Sequence, residues 1–354
     1  MRIERSYDLA VESSDLQMGA KLRVDSFLAG KVTELSRSAL SGPDCRILIN
    51  GKVAKKSDKV VSGDRVELHY VSDVFEKVEP QDIPLSILYE DSDMLVIDKA
   101  QGMVVHPGAG NVDGTVVNAL AYRYGEAFIN EMADECDVSR PGIVHRLDKD
   151  TSGVMVIALN ARAHAALSEQ FQTHDIEKIY YAFCDGIFQK HEDDIKCYLV
   201  RDKYDRKLFT PVREPKEYII QGGLSAKRTQ EMMEEVYEDP KYRIGGSLDS
   251  AGTGGGKWSL SHYEVVRQLP QAALVKVQIF TGRTHQIRVH MKYIGHPVIG
   301  DVMYNNRLSR FPGQPLMLHS ASLQIAHPTT GEIMRFEAPL PQRFAELEKK
   351  LREA

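Results

Sequence analysis

The sequence predicts an α+β protein of two domains, and three observations predict it. Strand-like runs dominate the chain without the strand–helix–strand alternation of a parallel α/β sheet. Pro80 and Pro84 bracket a short polar stretch, Gln81-Asp82-Ile83, that reads as a linker. The length of 354 residues suits about two domains of roughly 100–200 residues each. The expected division is a small α+β domain over 1–80, a linker over 81–84, and a larger domain over 85–354 around a long mixed or antiparallel sheet.

In the first domain, Leu22, Phe27, Leu28 and Val32 space their apolar side chains along one helix face. Leu35-Ser36-Arg37-Ser38 offers a serine and a basic residue to open a second helix. That helix is expected to be short, because Ser41-Gly42-Pro43-Asp44 places a helix-breaking proline soon after it. Asn50-Gly51 between apolar runs predicts a tight hairpin. Gly63-Asp64 predicts a turn into one more strand.

In the second domain, β-rich runs bounded by turn residues predict strands over 94–98, 142–147, 154–159, 179–184, 261–266, 274–280 and 334–338. Asn160 can cap a helix that carries Ala163, Leu167 and Phe171 on one face. A charged helix is expected over 342–352. Residues 214–257 begin with charge and Pro and end rich in Ser and Gly, which predicts a flexible insertion between two strands.

Composition narrows the class. The 42% hydrophobic content is enough to build cores, so disorder as the main state is excluded. Cys45, Cys136, Cys184 and Cys197 are scattered without a C-x-x-C pair, which argues against structural zinc and suits a reducing compartment. Charged residues fill the first 20 positions, leaving no signal-peptide core, and no 18-residue apolar run exists. A cytoplasmic protein that does not engage membranes is expected. The net charge of −5 does not advertise nucleic-acid binding, but it is local charge that touches phosphate.

The densest polar cluster is Arg140-Pro141-Gly142-Ile143-Val144-His145-Arg146-Leu147-Asp148-Lys149-Asp150-Thr151-Ser152-Gly153, on the connection between two predicted strands. A rigid sheet displays functional groups on such loops; the plainer reading is a turn whose Asp and Ser satisfy backbone groups. His145-Arg146-Leu147-Asp148 has the wrong order for a kinase catalytic loop and lacks the downstream Asn. His145, Asp148 and Ser152 supply hydrolase residue types without a nucleophile elbow.

A second cluster runs from Thr281 to His296 and holds three Arg or Lys, three His and no acid. Ile287, Met291 and Ile294 predict the buried face of a helix, while His285, Arg288 and Lys292 fall on another face. In a chain with more acids than bases this reads as a phosphate-facing stripe; the alternative is a solvated basic face. His285 and His290, five apart, make a poor metal pair, so no metal is expected. The segment 201–207 mixes bases, acids and a tyrosine, and alone fits any surface loop.

Together these segments resemble the RluA-type pseudouridine synthases. The resemblance rests on His145-Arg146-Leu147-Asp148 with Thr151-Ser152-Gly153, on Lys99-Ala100-Gln101-Gly102-Met103-Val104-Val105-His106-Pro107, on Lys178-Ile179-Tyr180-Tyr181-Ala182 and on 282–290. Gly295-His296-Pro297-Val298-Ile299-Gly300-Asp301, Leu318-His319-Ser320, His327-Pro328-Thr329-Thr330-Gly331 and Ala338-Pro339-Leu340-Pro341 continue it in the family's order, across about 85–341. Ala100 stands where the family usually has Pro. Leu22–Leu28, Ser36-Arg37 and Ile49-Asn50-Gly51 resemble the alpha-L type of RNA-binding domain that often precedes this catalytic domain. The combination is most like the members that act on large-subunit ribosomal RNA.

The resemblance implies an isomerase that converts uridine in RNA to pseudouridine without cofactor or metal, as a monomer, with ribosomal RNA or a pre-ribosomal particle as partner. It implies Asp148 as the carboxylate acting at the ribose, as nucleophile or as base. Arg283 is implied as the guanidinium that pairs with Asp148, Arg146 as the side chain filling the vacated stack, and Tyr180 as the ring stacking on the flipped base. On that placement Ile179, Tyr181 and Phe183 face the core. His145, His285, Arg288, Lys292, Arg37 and Asn50 are expected RNA contacts. The competing reading is a non-catalytic RNA-binding or ribosome-assembly protein that retains the fold.

Overall fold

A computed structural model describes residues 2–15, 21–32, 35, 40, 45–73, 78–108, 110–133, 140–202, 204–205, 207–212, 256–307 and 310–353. The chain divides into two compact units, Met1–Lys77 and Val78–Ala354. Arg37, the expected second helix and the expected insertion lie outside the described residues, apart from Leu35, Leu40 and Gly256–Lys257.

The first unit contains β1 (Arg2–Ala10), β2 (Leu22–Arg23), α1 (Val24–Lys31), β3 (Arg46–Ile49), β4 (Lys52–Ala54), β5 (Lys59–Val60) and β6 (Arg65–Asp73). Its main sheet has the order β1-β6-β3-β4, and β2 pairs with β5. Val24, Phe27 and Leu28, spaced i, i+3 and i+4 on α1, pack with Ile47, Val60, Val66 and Leu68. The expected hairpin is present: Asn50 (φ 51) and Gly51 (φ 73) turn the chain from β3 to β4.

The second unit is built on one large sheet. Its strands are β7 (Ser86–Glu90), β8 (Met94–Lys99), β9 (Ser152–Ala158), β10 (Glu177–Asp185), β11 (Glu192–Arg201), β12 (Phe209–Val212), β13 (Lys257–Gln268), β14 (Ala272–Ile279), β15 (Leu318–Ala326) and β16 (Ile333–Glu337). Its helices among the described residues are α2 (Val116–Ala133), α3 (Ala161–Thr173), α4 (Gln286–Tyr293) and α5 (Gln342–Glu353). The order is β12-β11-β13-β14-β10-β15-β9-β8-β7, with β16 against the far half of β15. The β9–β15 pair is parallel and very short, Ser152 and Gly153 against His319 and Ser320; the remaining pairs are antiparallel. The sheet is therefore mixed, one of the two forms expected from the missing strand–helix alternation.

Both faces are covered, so neighbouring residues of one strand enter different cores. Leu95 and Ile97 of β8 pack with α2 and α4, while Met94 and Val96 pack with α3. On β10, Tyr180 and Ala182 join the first of these cores, and Phe183 lies under Phe344 of α5 at 5.6 Å between ring centroids. Asn160 caps α3 as expected, its side chain accepting from Ala163 N at 2.9 Å.

The expected strand over 142–147 does not form. Gly142 adopts φ 72, and Ile143 makes a single bridge to Ile157. A Cβ at Gly142 would stand 2.4 Å from Ala158 O. The chain must therefore cross β9 closely there, and it leads into β9 as irregular backbone. Residues 79 and 81, expected in or beside a linker, are tied to α2: Asn118 Nδ2 donates to Glu79 O, and Gln81 N donates to Asn118 O.

Candidate active site

The turn carrying Asp148 is fixed from several directions. Thr151 N closes it on Asp148 O at 3.1 Å, and Gly102 N donates to Lys149 O at 2.9 Å. Gln101 Nε2 donates to Asp150 O at 2.8 Å. Lys99, 1% exposed, gives Nζ to Ala100 O, Met103 O and Lys149 O at 2.9, 2.8 and 3.2 Å, and burial lowers its pKa to about 8. Gly153 ends the turn at φ 117, where a Cβ would stand 2.1 Å from Ser320 O. Only glycine permits β9 and β15 to meet at that point.

The opposing wall is built around Gln286. Its Oε1 accepts from Thr281 Oγ1 and Arg283 N, and its Nε2 donates to Leu260 O and Ser261 Oγ. His285 precedes the helix in the left-handed region at φ 58, so α4 begins only at Gln286. Arg283 consequently lies in the turn, where its Nε donates to Trp258 O at 2.9 Å. Arg288 lies on the first helical turn and points inward, its side chain 7% exposed. Its Nη1 donates to Asp148 Oδ2 at 3.1 Å, while Nε and Nη2 hold both oxygens of the fully buried Asp301 at 2.7 and 2.8 Å.

Two expectations are thereby corrected. The guanidinium on Asp148 belongs to Arg288 and not to Arg283, because the left-handed residue at 285 sets the helix register. Arg288, expected to meet phosphate, is instead 7% exposed and gives three of its five N–H donors to two carboxylates. Asp301 closes the family-like segment 295–301, but the sequence alone assigns it no role. It is the first acidic residue after the acid-free run 281–296, and that was the available signal.

His285 stands beside the pair, with Nε2 3.9 Å from Asp148 Oδ2 and Nδ1 2.8 Å from the Tyr304 hydroxyl. Burial lowers its pKa. Lys292 is exposed, with Nζ 5.6 Å from the centre of the Tyr304 ring. Tyr180 is 7% exposed, and burial pushes its hydroxyl up to about 12, so it keeps its proton in the neutral range.

These groups line one cleft of ≈ 800 Å³, within the range of small-molecule sites. Arg146, Asp148, Tyr180, Arg283, His285 and Arg288 all face it, and Arg146 is exposed. His145 also lines it but is corrected as an RNA contact. Its Nε2 accepts from Val156 N at 3.0 Å, its ring stacks on Phe171 at 4.4 Å, and burial lowers its pKa to about 3. Its role is to hold the Asp148 turn against β9 and α3. Asn50 is corrected as well. Its Nδ2 donates to Asp64 Oδ1 and its Oδ1 accepts from Arg65 N, so the amide serves the hairpin itself. Among the described residues, no helix is long and apolar enough to cross a membrane.

A family model described as RNA pseudouridylate synthase matches residues 93–293. The ribosomal large subunit pseudouridine synthase D of Escherichia coli (strain K12) is 34% identical, over 96% of this chain and 93% of its own length. The protein of the same name in Pseudomonas aeruginosa is 35% identical, over 94% of this chain and 92% of its own. The Bacillus subtilis protein YlyB, named as an RNA pseudouridine synthase, is 35% identical over 93% and 94%. Among solved structures, human RNA pseudouridylate synthase domain containing 1 is alike in fold, with a TM-score of 0.51 and 23% identity over 77% of this chain and 97% of that one.

Proposed function

The chain belongs to the RNA pseudouridylate synthase family, and from that premise we propose that it isomerises uridine in large-subunit ribosomal RNA, with Asp148 acting at the ribose. The observation that carries the residue assignment is the Asp148 carboxylate inside the cleft, held by Arg288 at 3.1 Å. The reaction breaks the bond from the anomeric carbon to ring nitrogen and makes one to ring carbon, so an ionised carboxylate must reach the ribose, as nucleophile at the anomeric carbon or as base on the neighbouring one. The guanidinium of Arg288 orients that carboxylate and opposes its charge. Arg288 meets Asp148 through Nη1, while Asp301 holds its Nε and Nη2.

The target uridine must leave its stack, at a cost of a few kcal/mol. Tyr180 supplies a ring for the base, and stacking contributes about 1–3 kcal/mol. Exposed Arg146 fills the space the base vacates. The ribosomal substrate is supported by the names of the relatives that match nearly the whole chain. The first unit, whose sequence resembles an alpha-L domain, adds RNA affinity. The protein works as a monomer in the cytoplasm, where ribosomal RNA is assembled.

Mapping pseudouridines in ribosomal RNA from cells with and without the gene tests this. One or more large-subunit uridines should lose the modification and regain it with the wild-type gene. An unchanged map would refute the substrate.

A further inference from the structure

The two buried lysines of the cleft region are treated differently by the fold. Lys99 places its ammonium against three backbone carbonyls. Lys178 is nearly as buried, 7% exposed, and stands on β10 two residues before Tyr180, so it faces the same cleft. Among the described residues its Nζ has neither a hydrogen-bond acceptor nor a carboxylate within ion-pair reach.

Among the described residues, the groups beside Lys178 are positive or neutral. Its Nζ lies 3.9 Å from the position a Cβ would take on Gly282, at the turn that carries Arg283. The Arg283 charge acts on it unfavourably, and burial with that charge lowers its pKa to about 8. His174 ends α3 in the left-handed region, lines the same cleft and feels both charges. Its Nδ1 is buried without a partner. Three elements therefore bring polar groups to one end of the cleft, and among the described residues no carboxylate there pairs with Lys178. A buried ammonium beside a guanidinium is unfavourable in the free protein. It is offset when a ligand brings a full negative charge, and a uracil carbonyl brings only a dipole.

We propose that Lys178, with Arg283 and His174 beside it, forms a subsite for one backbone phosphate of the RNA, next to the nucleotide held at Asp148. This rests on the reading of the cleft as the RNA site. Asp148 belongs to a different part of the cleft electrostatically, since its charge is met by Arg288.

The test compares wild type, Lys178→Met and Lys178→Arg in two measurements. The first is the melting temperature without RNA. Removing an unneutralised buried charge should raise it by about 2–4 °C in Lys178→Met. The second is affinity for an in vitro transcript of bacterial large-subunit ribosomal RNA across a range of salt. Lys178→Met should bind about tenfold more weakly, with the slope of log affinity on log salt shallower by about 0.7. Lys178→Arg should restore the slope. An unchanged slope, or a lower melting temperature in Lys178→Met, would overturn the subsite. Pseudouridine formation by the wild type on the same transcript is read separately. Its absence would refute the isomerase reading while a shallower slope still upheld the anion site.

Discussion

The Nη1–H of Arg288 meets Asp148 Oδ2 at 3.1 Å, although the two residues lie 140 positions apart in the chain. The same guanidinium is locked to Asp301 by two shorter bonds. Asp148 therefore receives one donor from a group whose position is set by another carboxylate.

Asp148→Asn should lower pseudouridine formation by about 10³-fold or more, the scale of a group that acts mainly in the transition state. Arg288 retains Asp301, so the melting temperature should change little and RNA affinity should stay within a few fold. Nucleoside analysis of the reacted RNA, with a binding isotherm, checks both. Wild-type product yield from the variant would dismiss the assignment.

Arg288 and Arg283 should separate. Arg288→Lys replaces a fork held by two carboxylates with a point charge. Breaking such a buried network costs about 3–5 kcal/mol, so thermal stability and kcat should both fall sharply. Arg283→Lys should keep kcat within about tenfold and act chiefly on RNA affinity. Steady-state kinetics on the two variants decide between them.

Gly153→Ala forces a Cβ to within 2.1 Å of Ser320 O at φ 117. The only relief is to separate β9 from β15, which carries the Asp148 turn away from its support. A loss of about 4 kcal/mol or more is expected, visible as a large drop in melting temperature or as insoluble protein.

Acid should destabilise the molecule well above carboxylate pKa values. Burial lowers His145 and His290 to about 3, and His174 and His319 to about 4. The unfolded chain takes up these protons near pH 6.5 and the native state does not. Stability is thus lost as pH falls from about 6.5 toward 4, by up to about 1.4 kcal/mol per unit for each group. His290 joins Ser261 and Ser259 through its two ring nitrogens, at 2.9 and 2.8 Å. His290→Gln should be less stable at pH 7 yet lose less between pH 6.5 and 4, as thermal melts at the two pH values would read.

Much of this arrangement is legible in the sequence where the signal is local. Asn50-Gly51 requires positive φ at both positions, and Asn160 can reach Ala163 N whatever the rest of the chain does. The family motifs bring Asp148, Tyr180, Arg283 and Arg288 to notice together. What they do not reveal is which arginine turns inward. That depends on His285 adopting φ 58 and on Gln286 binding four partners, neither of which leaves a periodic trace. The basic stripe on 285–292 misleads for the same reason, since Gln286–Met291 is buried on every side. The irregular path over 142–147 is hidden because its apolar residues imitate a strand, while its course is dictated by how closely Gly142 passes Ala158. The helix α2 and the strands β1, β7, β11 and β15 go unread, their identity being decided by partners distant in sequence.

The brief parallel seam between β9 and β15 has a consequence for how the molecule is made. Residues 152–153 wait for 319–320, and Asp148 waits for 288, so the site is not assembled until the nascent chain has passed residue 320. Closing such long loops is slow compared with local folding. An emerging polypeptide thus carries no assembled cleft until both distant segments have been made.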